Sequence, residues 1–472
     1  MIKPVILWTD GLLFLLTALV VAFILYARGK PHIRQPWARI FRGRIAAASV
    51  VVLGAFVLVG LLDSMHYRLP LASNGNSSET HYAVEVLSVL DAVTGTLRTR
   101  EEKSYSAPFA TTLYVKETVD QPDGTQVRIY PRLQFGGAHL GDDLAYKSTD
   151  IMMRTGVSLL ETLLAAALIT LLLAWLLSLR HGCTARDMLR RILAGRTDVP
   201  WRVILISLGV LLFLVFLVAN LASVYHVLGT DKVGKDVLYL SLKSIRTGLM
   251  IGTLTTLVML PFAIFMGIVA GYARGWIDDV VQYVYTTLNS IPHVLLIAAS
   301  ILMLQVYVAN NPELFETTLE RSDIRLLFLC IILGITSWTG LCRLLRGESL
   351  KLREAEYIQA AVSFGVSHGR IMTRHILPNV MHIVLITVVL DFSGLVLAEA
   401  VLSYVGVGVD PSMNSWGNMI NGARLEMARE PVVWWSLLSA FLFMFTLVLA
   451  ANLFSDAVRD AFDPRTTDQQ RD

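Results

Sequence analysis

Three groups of residues in this chain carry side chains able to act on another molecule. The first is Glu354-Ala355-Glu356-Tyr357-Ile358-Gln359-Ala360-Ala361, followed by Gly365 and then by Ile376-Leu377-Pro378-Asn379. This polar, Arg- and His-bearing insertion separates two apolar runs long enough to cross a bilayer, so it lies outside the lipid and offers a surface for docking. A short helix is expected from about Arg353 to Phe364, then a turn at Gly365, where unusual backbone angles cost least, then a second short helix. Pro378 falls in the first turn of the next spanning helix, where a missing N–H matters little. Such a helix pair can sit in a partner's cleft and move as a lever.

The second group is Asp391 and Glu399, eight residues apart on one apolar run and so within about 80° of each other around a helix axis. A charge at mid-bilayer costs roughly 2.5–3.5 kcal/mol, so both must face protein or water. Glu399 lies near the end of its run, and its reading as structural rests on the family resemblance given below; Asp391 either lines a polar path or bonds to a neighbouring helix. The third group is Gly229, Thr230, Asp231, Gly234 and Asp236. Asp236 precedes an apolar helical run and reads as a helix cap in preference to a contact with a delivered molecule.

None of these groups makes or breaks bonds. No Gly-x-x-x-x-Gly-Lys-Ser/Thr occurs, so a nucleotide cradle of that kind is absent and energy must come from a partner. The three cysteines, Cys183, Cys330 and Cys342, have neither CxxC spacing nor His companions at metal-ligand distances and read as packing residues. No metal or other cofactor is expected in the chain.

The elements that carry these groups are membrane spans. The chain is 54% apolar and only 16% charged, and its net charge of +3 is too small to argue for nucleic acid. Apolar runs near 5–27, 45–62, 157–179, 203–226, 248–273, 282–308, 325–345, 380–405 and 433–454 give nine candidate spans. The first lacks a basic region before it and a small-residue cleavage site after it, so it reads as a retained span. The linkers 28–44 and 180–202 are rich in Arg with few acids, which places them in the cytoplasm. Alternation then puts the N-terminus and residues 63–155 outside, and the 354–378 loop and the C-terminus inside. Segment 63–155 is polar and net acidic and reads as a structural cap on the outer face. Within it, Thr111 to Val119 and Thr125 to Tyr130 flank Gln121-Pro122-Asp123-Gly124 and read as a β-hairpin, while Ser73 to Ser78 read as a loop. Trp416, Trp434 and Trp435 read as interfacial anchors.

Gln359-Ala360-Ala361, Gly365, His375, Leu377 and Pro378 resemble the cytoplasmic coupling loop of binding-protein-dependent ABC importer permeases. That pattern is Glu-Ala-Ala, three residues, Gly, nine residues, then Ile-x-Leu-Pro; Gln359 stands in the Glu place and His375 in the Ile place. Further stretches resemble the C-type subunit of the dipeptide, oligopeptide and nickel importer family. Leu228 to Val237 is similar to its Leu-Gly-Thr-Asp-x-x-Gly-Arg-Asp-Val, with Lys235 for Arg. Gly271 to Asp278 is similar to its Gly-Tyr-x-Gly-Gly-x-x-Asp turn, with Arg274 for a Gly. Ser290-Ile291-Pro292, Leu397 to Ala400, Leu402 to Gly406, Ser415-Trp416-Gly417 and Arg459 to Arg465 continue the likeness in order, over about 203–465.

The resemblance implies an all-α transmembrane fold: a type I ABC importer permease core of six helices in 203–465. Residues 1–62 (two helices), 63–155 (a small external segment with hairpin content) and 156–202 (a third added helix and a basic linker) lie outside the family pattern. It implies a subunit of a bacterial inner-membrane importer, with peptides as the expected cargo. Its partners would be a homologous second permease, two ATPase subunits that bind the ATP, and an external solute-binding protein. On the family pattern Glu354, Glu356, Tyr357, Ala360, Ala361, Gly365, Leu377 and Pro378 couple to the ATPase. Two other readings stay open: a secondary transporter driven by an ion gradient through Asp391 and Glu399, which would show inverted repeats, and a membrane sensor whose external segment binds a ligand.

Overall fold

The computed structural model of the chain describes residues 3–71, 81–120, 126–141, 143–311, 313 and 317–462. Among them, nine helices are long and apolar enough to cross a membrane: Trp8–Arg28, Arg44–Ser64, Leu144–His181, Trp201–Ala222, Val237–Ala273, His293–Asn310, Thr318–Arg353, His368–Tyr404 and Trp435–Phe462. Each overlaps one expected run.

Two elements differ from expectation. The run at 282–308 is broken into Trp276–Ser290 and His293–Asn310, because Pro292 cannot donate to the preceding turn and biases Ile291 toward extended backbone (φ −89°, ψ 128°). The second short helix after Gly365 is not a separate element. His368–Ile371 runs through a π-helical stretch, Met372–Ile376, into the helix Leu377–Tyr404. A proline ring inside a regular α-helix clashes with the carbonyl one turn back, and the wider π turn just before Pro378 relieves that clash.

The chain divides into two compact units. The first comprises Met1–Val5, Ala38–Thr247 and Asn414–Ala450. In it the strand Lys3–Val5 pairs antiparallel with His66–Arg68, which pairs with Leu87–Ser88. Pro4 is tolerated because Lys3–Val5 is an edge strand. Glu117–Asp120 pairs antiparallel with Gln126–Ile129, Val119 opposite Val127, as the hairpin reading expects. The turn 121–125 and the loop 73–78 lie outside the described residues. Lys147–His181 packs along Trp201–Ala222, and Ala174, Met188 and Ile192 form a small apolar cluster with the intervening helix Ala185–Leu193.

The second unit comprises Ile6–Trp37, Gly248–Met413 and Ala451–Asp472. Its main core gathers Met259, Ala263, Ile268, Leu341, Leu345 and Ile376. Glycines let its helices touch: a Cβ on Gly267 would stand 2.8 Å from the Cys342 carbonyl, and one on Gly271 would stand 2.5 Å from the Arg346 carbonyl. This small-x-x-x-small spacing brings Val237–Ala273 against Thr339–Arg353, where apolar attraction between helices is no help in lipid and close backbone approach is. Cys330 and Cys342 are buried and free, as packing residues. Trp8–Arg28 packs on Thr318–Ser337, where the Thr9 N–H donates to Asp323 Oδ2 at 3.1 Å.

Candidate functional site

The helix Glu356–Ser363 carries the first group of residues. Ile358 is its fully buried anchor, while Glu356, Tyr357 and Ala360 are exposed and Ala361 is half-buried. The helix ends in a Schellman motif: the Gly365 N–H donates to the Val362 carbonyl at 2.9 Å, and the Val366 N–H donates to the Ala361 carbonyl at 3.1 Å. That geometry needs a left-handed residue after the helix, and Gly365 supplies it at φ +74°. Phe364, the residue before the turn, stands 87% exposed. With Tyr357, 46% exposed, it gives the segment an exposed aromatic surface among the described residues, a feature that residue spacing did not reveal.

Ile358 belongs to the same apolar core as Ile371, Ile376, Val380, Val384, Leu341 and Leu345, with Ala361 and Leu377 packed against it. Glu356–Ser363 is therefore packed through Ile358 on side chains of Val237–Ala273, Thr339–Arg353 and Leu377–Tyr404. Polar contacts tie the same parts. Asn379 Nδ2 donates to the Tyr357 hydroxyl at 3.2 Å and to the His375 carbonyl at 2.7 Å. The Tyr272 hydroxyl lies 2.7 Å from His368 Nδ1, and Arg346 holds Asp278 with two bonds of 2.6 and 2.8 Å. The Arg346 bonds keep the Asp278 carboxyl below the usual range. Glu354 pairs with Arg274 at 2.6 Å on the surface. Arg274, which stands where the resembling pattern has Gly, sits at φ 59°. The left-handed backbone costs a non-glycine residue roughly 1–2 kcal/mol, more than an exposed ion pair of about 0–1 kcal/mol returns.

Asp391 and Glu399 are on one helix, as expected, but in different surroundings. Glu399 is buried and accepts a hydrogen bond from Ser403 Oγ at 2.7 Å. Asp391 is half-buried, and among the described residues no hydrogen bond or ion pair reaches its carboxylate.

The third group lies in the first unit and is packed. Thr230 is fully buried, its hydroxyl donating to the Ser104 carbonyl at 2.8 Å and accepting from the Ser106 N–H at 2.7 Å. Gly229 and Gly234 have positive φ, and a Cβ on Gly234 would stand 1.7 Å from the Glu102 carbonyl oxygen. Asp231 turns the loop by accepting from the Val233 and Lys235 N–H groups, both at 2.9 Å. Asp236 Oδ1 accepts from the Leu238 and Tyr239 N–H groups at 2.9 and 3.3 Å, a cap on the helix Val237–Ala273. Its Oδ2 lies 2.8 Å from His226 Nδ1, and His226 Nε2 lies 3.4 Å from Glu102. Glu102 also accepts from the N–H groups of Gln134, Phe135 and Gly136. Burial opposes all this charge, yet the two carboxylates push His226 up to about 9. For Glu102 too, burial is outweighed: His226 and the three N–H donors hold it down to about 2. Sequence spacing could not find Glu102, Ser104 and Ser106, because they are over a hundred residues from the motif they cover.

The tryptophans correct an expectation. Trp416 and Trp435 are not surface anchors but buried, their indole N–H groups donating to the carbonyls of Ser241 (3.2 Å) and Thr230 (2.9 Å). A donor satisfied inside the protein removes the reason for an indole to seek the interface. Trp434 is half-exposed.

Residues 263–468 match the family described as binding-protein-dependent transport system inner membrane component. The chain is 31% identical over 241 residues to the oligopeptide transport system permease protein OppC of Haemophilus influenzae, covering 51% of this chain and 71% of that protein. It is 31% identical over 246 residues to the OppC of Mycobacterium tuberculosis H37Rv, covering 52% and 78%. Against the dipeptide transport system permease protein DppC of Bacillus subtilis the identity is 28% over 243 residues, covering 52% and 70%. The chain belongs to this inner-membrane transport family.

As a member, this permease is a multi-pass inner-membrane protein of an ABC transport system, a class that works with ATPase subunits and a binding protein. The whole 354–378 segment, Asp391 and Glu399 fall inside the matched residues 263–468. About half of the chain falls outside the aligned stretch of each relative.

Proposed function

We propose that this chain is the transmembrane subunit of an ATP-driven peptide importer, forming half of a translocation pathway beside a homologous second permease. Residues 354–378 dock one of two ATPase subunits, in which the ATP binds, and the chain itself performs no covalent chemistry. The observation that carries the docking role is the short helix Glu356–Ser363, exposed on its Glu356, Tyr357 and Ala360 side and rooted through Ile358 in the core shared with the spanning helices. Peptides as cargo are supported by the names of three relatives, two of them oligopeptide and one dipeptide permeases. The basic linkers 28–44 and 180–202 support an orientation with the N-terminus outside, 354–378 and the C-terminus in the cytoplasm, and the binding protein approaching from outside.

In the working cycle, closure of the ATPase pair displaces the Glu356–Ser363 lever, and the continuous helix from His368 to Tyr404 carries that motion into the membrane. A photo-crosslinking side chain placed at Phe364 in membranes containing the assembled complex is expected to capture an ATPase subunit. Assembled complex with no such adduct at Phe364 or Tyr357 would remove the docking role.

A further inference from the structure

Resting on the reading of this chain as half of a peptide pathway, we propose that Asp391 is a selectivity residue that takes the cationic side chain of a passing peptide. Four observations carry it. Asp391 lies at the middle of Leu377–Tyr404, the depth at which a membrane most opposes a charge. It lies at the edge of the buried stripe of that helix: Val384 is seven residues before it, Val388 three before, Leu395 four after and Leu402 eleven after, all buried or packed on a core, while Gly394, three after on the other side, is exposed and Asp391 itself is half-buried.

Its carboxylate has no hydrogen bond or ion pair among the described residues, whereas Glu399, two turns on, is buried and bonded to Ser403. Asp391 is nevertheless only half-buried, whereas the unsatisfied Glu426 Oε2 is sealed. An acid at the edge of a buried stripe, partly accessible and with no partner among the described residues, is suited to a transient cation. A resident Lys or Arg would satisfy it permanently and close the route. The guanidinium or ammonium of an Arg or Lys side chain can form charge-assisted hydrogen bonds there, which are worth more in a site of low dielectric than in water.

The test uses the complete transporter, with its ATPases and binding protein, in cells lacking other peptide uptake. Uptake of Ala-Lys-Ala, Ala-Ala-Ala and Ala-Glu-Ala is compared in wild type, D391N, D391E and D391K, at matched amounts of assembled complex. In D391N the ratio of Lys-peptide to Ala-peptide uptake is expected to fall about tenfold, equivalent to ~1.4 kcal/mol, with Ala-Ala-Ala little changed. D391E should restore the ratio, and D391K should favour the Glu-peptide. Equal loss of all three peptides in assembled D391N would overturn the proposal and make Asp391 a partner of the second permease; unchanged ratios would also overturn it. Wild type that imports none of the three peptides, with ATPases docked, would fault the peptide reading itself.

Discussion

Gly365 ends the helix Glu356–Ser363 in the left-handed region, and in the proposed docking role it is the turn of the lever. Among the described residues nothing stands within 4 Å of the place a Cβ would occupy, so a substitution there is opposed by backbone conformation. For a residue in the left-handed region that cost is roughly 1–2 kcal/mol, less for Asn, which tolerates the region, and more for a β-branched side chain. The expected order of damage is therefore Asn, then Ala, then Val. Measured as transport per ATP hydrolysed in reconstituted complex, Gly365→Val should be the most uncoupled while assembly persists; wild-type coupling in that variant would mean that the turn is not mechanical.

The loop from Leu228 to Val237 acts as a packed element, and its chemistry is that of an internal ion cluster. His226 is held between Asp236 and Glu102, with its pKa raised to about 9 from the usual 6.5. A raised folded-state pKa contributes stability that is fully present below about 6.5 and is lost as pH rises through about 9. Glu102, depressed to about 2 from 4.5, contributes above 4.5 and loses that contribution as pH falls through about 2. Thermal unfolding in detergent should therefore separate wild type from H226Q by several degrees at pH 6, and the gap should narrow above pH 9. A gap that is constant from pH 6 to pH 10 would show that the imidazolium charge contributes nothing.

For the protein as a whole, two measurements bear on its organisation. With the native cysteines removed, a cysteine at Val84 should react with an impermeant reagent from outside and one at Ser367 should not; outside reaction at Ser367 would reverse the proposed orientation. Deleting residues 1–202 leaves 354–378 untouched, so ATPase binding is expected to survive in molecules that insert. The deletion strips Asp63 and Asp91 from Lys243, which they meet at 2.6 and 3.1 Å, and strips Glu102 from His226. Breaking a buried ion pair from one side costs roughly 3–5 kcal/mol. The truncated protein is thus expected to be markedly less heat-stable than the full chain. Equal stability would mean that residues 1–202 contribute nothing to the stability of the rest of the chain.

Much of this was legible in residue order because its causes are local. Bilayer thickness demands about 20 apolar residues per crossing, so the nine runs could be counted directly, and a helix-ending glycine at 365 follows from the shape of one residue. The likeness of 203–465 to a permease was likewise carried by short motifs. Tertiary structure decided what depends on distant neighbours. Trp416 and Trp435 are buried because carbonyls of Ser241 and Thr230 accept their indole N–H groups. Glu102 reaches His226 across 124 residues, so no spacing rule links them. Pro378 stands in the first turn of Leu377–Tyr404, as its residue type suggests, but only the fold shows that a π-helical stretch, Met372–Ile376, runs directly into that helix. Asp391 and Glu399 look alike as acids in apolar runs. Only packing gave one of them a hydroxyl partner and left the other open, since what a charge in a membrane protein does is set by the groups folded around it.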